Sequence, residues 1–170
     1  MKPTQLIACL ILATLFACSN NQTNLKMDIE NSIKSFNANK LLVPTIDQLA
    51  KLDSMIHIYE IEQPADTLLP KYYYNLADLY SKANQTDKAL SKFDYFISHF
   101  SNHRYLPNAL FTKAFLLDEG LGNKQEAAKA YQTFLQKFPN HALASSASMM
   151  YEQIVNNISN DSLLKKLTNQ

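Results

Sequence analysis

Residues 96–103 read FISHFSNH, and residues 134–141 read FLQKFPNH. The phrases lie 38 residues apart and share two aromatic positions and the closing Asn-His. A fixed period of this length marks stacked supersecondary units: one unit cannot bury its own apolar face and must use its neighbour's. Around the phrases, apolar residues recur at helical steps. Tyr73, Leu76, Ala77 and Tyr80 form one stripe, and Ala89, Phe93, Phe96 and Phe100 a second. Leu110, Ala114 and Leu117 form a third, and Ala127, Tyr131, Phe134 and Phe138 a fourth, which Pro139 closes. The breaks read SKANQTD, SNHR and DEGLGN, and Thr86 is placed to cap the second helix. No segment alternates at period two, so the spacing predicts an all-α chain.

The same reading extends in both directions. Leu25, Ile29, Ile33 and Phe36 line one helical face. Thr45 with Gln48 fits a capping box ahead of the stripe Ile46, Leu49, Leu52, Met55 or Ile56, and Tyr59, predicting a helix over 45–60. Residues 63–69 then form a connection edged by Pro64 and Pro70. Beyond the fourth stripe, one helix is expected from Ala142 to Ile154, and Leu163, Leu164 and Leu167 suggest a short last one. The expected organisation is a signal segment over 1–17, a tether over 18–24, N-terminal helices over 25–62 and a helical repeat domain over 63–170.

The first 24 residues, MKPTQLIACLILATLFACSNNQTN, carry a different message. Lys2 precedes the apolar run Leu6–Phe16, and the chain turns polar immediately after Cys18. The run is too short for the roughly 30 Å of bilayer hydrocarbon but has the dimensions of a signal-peptide core. Leu15-Phe16-Ala17-Cys18 resembles the lipobox of bacterial lipoproteins. That resemblance implies lipid on Cys18 and cleavage before it. Cys9 would leave with the signal, so Cys18 would be the sole mature cysteine and no internal disulfide could form. Residues 19–24 lack acidic side chains, which favours the periplasmic face of the outer membrane.

Composition narrows the chemistry. Sixteen Lys and Arg stand against fifteen Asp and Glu, which argues against a nucleic-acid surface. Only Gly120 and Gly122 are glycine, so no glycine-rich loop can cradle a phosphate and no nucleotide cofactor is expected. His99 and His103 lie four apart, a metal-ligand spacing within a helix, but the helix should end near Phe100. His103 and His141 occupy equivalent repeat positions, which reads as a repeated turn residue, and no metal is expected. No nucleophile elbow or His–Glu protease spacing occurs, so the chain is not expected to be an enzyme.

Tyr73, Leu76, Ala77, Tyr80, Ala89, Phe93 and Phe96 stand at the spacing of the tetratricopeptide repeat signature, and Ala127, Tyr131, Phe134 and Pro139 match its second half again. The chain resembles that family over residues 70–157, and in particular the lipoproteins of outer-membrane assembly and the Tol-Pal-associated ones. The second copy carries one extra turn residue, Ala replaces the usual Gly at 77 and 114, and a third unit from about 142 has lost the details. The resemblance implies a solenoid of helical hairpins whose inner helices line a groove for a peptide or protein segment. At the inferred groove positions stand Tyr74, Asp78, Phe111 and Phe115, a set suited to an apolar or aromatic peptide or helix. Phe111 and Phe115 equally fit packing against a neighbouring helix. The expected role is a lipid-anchored scaffold of a cell-envelope complex. A secreted adaptor without lipid and a self-associating structural protein are the alternatives.

Overall fold

The computed structural model describes the backbone of residues 24–38 and 43–168, and side chains as far as residue 160. The signal segment 1–17 and Cys18 lie outside the described residues. The chain runs through α1 (24–38), α2 (Ile46–Glu62), α3 (Leu69–Lys82), α4 (Thr86–His99), α5 (Leu106–Phe115), α6 (Lys124–Lys137) and α7 (Ala144–Thr168), with no strand among the described residues. This is the all-α hairpin array that the periodicity predicts. It divides into two compact units between Tyr72 and Tyr73, inside α3.

In the first unit, α1 buries Ile29 and Ile33, and α2 buries Leu49, Leu52, Ile56 and Tyr59. The Thr45 side chain accepts the Gln48 N–H, and the Gln48 side chain accepts the Thr45 N–H, closing the predicted capping box. Polar contacts hold the ends of the helices. The Tyr59 hydroxyl donates to Asp66, whose other carboxylate oxygen accepts the Leu68 N–H at 2.8 Å. The Tyr72 hydroxyl donates to Glu30 at 3.1 Å, so α1 is tied to the start of α3. Burial, helped by these carboxylates, pushes both phenols well above the ordinary tyrosine value.

The second unit contains the repeats. Ala89, Phe93 and Phe96 of α4 are fully buried, as are their counterparts Ala127, Tyr131 and Phe134 of α6. Small alanines let helices approach, and the aromatics fill the space between them. The doubled phrase is a doubled object. Phe96 and Phe100 have ring centroids 5.7 Å apart, and Phe134 and Phe138 have theirs 5.9 Å apart. His103 lies edge-on to Phe96 at 5.8 Å, and His141 edge-on to Phe134 at 5.9 Å.

The extra residue of the second copy has a physical form. In the first hairpin α3 ends in a Schellman turn: Asn84 takes the left-handed conformation (φ 55°), and the Gln85 N–H reaches back to the Tyr80 carbonyl at 2.9 Å. In the second, Gly122 takes that role (φ 65°), but the Asn123 N–H returns to Leu117, one residue farther back than in the first copy. The difference is absorbed as a π-helical turn at Leu116–Gly120. Gly120 is required there by space: a Cβ on it would lie 2.7 Å from Thr86 Cγ2. The turn also buries Asp118, whose carboxylate meets the Lys124 ammonium at the start of α6. That hydrogen bond raises the Lys124 pKa.

Two expectations change. Thr86 is the first residue of α4 rather than its cap, and Gln85 at the cap position makes no side-chain bond. The cap lies instead at α6, where Asn123 accepts the Glu126 N–H at 3.3 Å. The two helices expected beyond residue 142 are one, because α7 continues without a break through Thr168. It buries Ala147 and Ile154 against α6 and exposes Ser145, Ser146, Glu152 and Gln153.

Candidate functional site

The four groove positions read from the sequence fall on the first helix of each hairpin, α3 and α5, but they do different work. Tyr74 is wedged between helices. Its ring lies edge-on to Phe93 and Phe96 at 6.1 and 5.8 Å, and tilted on Tyr105 at 4.7 Å. Burial pushes its phenol up and the Asp78 carboxylate adds to this, while a hydrogen bond with Asn108 opposes it. Phe111 repeats the geometry one unit on, edge-on to Tyr131 and Phe134 at 5.8 and 5.9 Å. Each ring therefore joins the two helices of its own hairpin. Most of its surface serves packing, the role that the sequence left open for Phe111.

Asp78 and Phe115 stand one helical turn beyond Tyr74 and Phe111, and both remain accessible. Asp78 pairs with Lys82 at 2.7 Å, a surface i,i+4 bridge. Phe115 is 39 % exposed. The helix buries Leu106, Ala109, Leu110 and Ala114, so the ring lies off its buried face. The launch of α7 repeats that of α5 at a step of 38, Leu106 answering to Ala144 and Ala109 to Ala147, which carries Phe111 and Phe115 to Met149 and Gln153 of α7. Ser148 and Glu152 beside them hydrogen-bond to each other at 3.1 Å. The register thus sets Asp78, Phe115 and Gln153 at equivalent positions of α3, α5 and α7. Met149 (67 % exposed) and Val155 (37 % exposed) add apolar surface on α7. Sequence reasoning missed this α7 contribution because the third unit lacks the signature; the 38-residue step from His103 to His141 was the available signal.

On the other side of the second unit, Leu90, Asp94, Lys113, Leu117, Lys129 and Thr133 line a shallow cleft. The Lys113–Asp94 ion pair joins α5 to α4 there. The histidines separate as the helix end at His99 requires. His99 stacks on Tyr95 at 3.9 Å, while His103 sits in the following turn with its Nδ1 on the Tyr105 N–H. Among the described residues no group of three His, Cys, Asp or Glu is placed to hold a metal ion. No helix of the described residues is long and apolar enough to cross a membrane.

Residues 72–103 and 108–141 both match the family model of the tetratricopeptide repeat. These stretches cover less than half of the chain, and no curated protein matches it. The two matched stretches fall on the hairpins α3–α4 and α5–α6, which are similar to two consecutive copies of that repeat.

Proposed function

We propose that this chain is a lipid-anchored scaffold of a cell-envelope complex. Its Cys18 carries the lipid at the periplasmic face of the outer membrane, and its first-helix face holds an apolar or aromatic segment of a partner protein. Exposed Phe115 at the groove register of two matched repeats is the observation that carries the partner half of this reading. Leu15-Phe16-Ala17-Cys18, at the junction of apolar run and polar tether, supports the anchor half. Chemistry at a groove of this composition is recognition: an exposed aromatic side chain, with a carboxylate at the equivalent position of the preceding repeat, takes an apolar segment whose basic flank meets Asp78. A short tether to the membrane raises the effective concentration of the module near membrane-bound partners.

Two measurements test the halves separately. Cys18→Ala is expected to leave the membrane fraction, whereas wild type remains in it; a variant that stays membrane-bound overturns the anchor. A photo-crosslinking residue at Phe115 is expected to capture one defined envelope protein in cells, and the same residue at Gln132 of α6 is not. Equal capture from both positions, or capture only of a second copy of this chain, overturns the groove.

A further inference from the structure

The repeated Asn-His at the end of each phrase has a chemistry that packing alone does not explain. His103 accepts the Tyr105 N–H through Nδ1 at 3.2 Å, and His141 accepts the Leu143 N–H through Nδ1 at 3.2 Å. The backbone around each is duplicated as well. The His103 N–H donates to the Phe100 carbonyl and its own carbonyl accepts the Leu106 N–H, at 3.0 and 2.9 Å. The corresponding bonds of His141 with Phe138 and Ala144 are 3.1 and 2.8 Å. Each imidazole is thus the side-chain clasp of the turn that launches the next helix, α5 in one case and α7 in the other. The clasp works only while Nδ1 is an unprotonated acceptor, because an imidazolium has two donors and no acceptor.

We propose that these two turns are a matched pair of proton-sensitive latches: neutral His103 and His141 hold the launch of α5 and α7, and protonation at Nδ1 sets N–H against N–H and releases both. The surroundings of His103 favour its neutral form. His103 faces Phe96 from α4, and Tyr105 at 4.9 Å and cationic Arg104 from the turn itself. His141 faces Phe134 and Phe138 from α6. Among the described residues no carboxylate is paired with either ring. Burial first, and Arg104 second, hold the His103 proton affinity below the ordinary histidine value. The stability that a neutral-bound histidine contributes is present above the unfolded value and is lost as pH falls through it toward the folded one. Because one latch precedes α5 and the other precedes α7, acid loosens both ends of the second repeat together.

The test uses the whole chain. His103→Ser with His141→Ser keeps an acceptor for the same N–H two residues on, but one that does not titrate. Wild type is expected to lose melting temperature from about pH 8 to about pH 5, and the double variant to match it at the alkaline end and lose most of that slope. Nitrogen-15 spectra of wild type at neutral pH are expected to show both rings as the Nε2–H tautomer, with hydrogen-exchange protection of the Tyr105 and Leu143 amides lost as the rings titrate. A folded double variant with the full wild-type slope overturns the proposal. So does a neutral Nδ1–H tautomer at either ring, or amides that stay protected after protonation. If the double variant does not fold, the wild-type spectra alone decide.

Discussion

Phe134→Ala is the most direct perturbation of the repeat. The ring has no exposed surface. It packs edge-on against Phe111 and His141 and tilted against Phe138, each at 5.9 Å. Returning such a side chain to water costs about 1.5–3 kcal/mol of transfer free energy. Ring-on-ring contacts add about 0.5–1.5 kcal/mol beyond area. The three neighbours come from α5, from the end of α6 and from the turn after it, so none can collapse into the space without moving a helix. The expected loss is therefore at the upper part of the range for deleted core aromatics, about 3–5 kcal/mol. At roughly 2–4 °C per kcal/mol for a chain of this size, the melting temperature should fall by about 6–20 °C. Urea denaturation followed by far-ultraviolet circular dichroism measures the loss, with Phe115→Ala as the internal comparison. Phe115 sits in the same repeat but projects outward, and its removal should cost under ~1 kcal/mol. A Phe134→Ala protein that melts within about 2 °C of wild type, or a Phe115→Ala protein that loses as much, would refute the stacking argument.

Gly120→Ala should destabilise by about 1–3 kcal/mol through overpacking. Thr86→Ala in the same chain should restore most of it, since the nearest remaining atom is Thr86 Cβ at 3.6 Å; the double-mutant cycle in urea measures this. Tyr59→Phe should cost about 1 kcal/mol at neutral pH by removing a charge-assisted hydrogen bond. Asp66 is held below the usual carboxylate value by the Tyr59 hydroxyl first and the Leu68 N–H second. Its contribution is present above the unfolded value of 3.8 and lost as pH falls through the lower folded one, so stability in acid should vary less in Tyr59→Phe than in wild type. Parallel acid titrations of the two proteins by fluorescence check this.

The buried stripes were legible because helical burial is periodic. Tyr73, Leu76, Ala77 and Tyr80 are all buried, as are Ala89, Phe93, Phe96, Ala127, Tyr131 and Phe134. The capping box at Thr45 was legible because it joins two residues at a fixed short spacing. Thr86 and Asn123 were not distinguishable as caps, because either residue type can serve and the helix start is set by the preceding turn. The four expected groove positions divide. Register placed Tyr74 and Phe111 on the right helices, but packing on the partner helix turned their rings into the hairpin and left Asp78 and Phe115 accessible.

Sequence alone determined the hairpins, their period and the one-residue excess of the second copy, since each is a matter of order along the chain. What only the tertiary structure decided is where that excess goes and what it creates: a π-helical turn, a glycine pressed on Thr86, and a buried Asp118 answered by Lys124. An added residue can be absorbed by a loop or by a helix, and the choice rests on which backbone hydrogen bonds the neighbouring helices leave room to close.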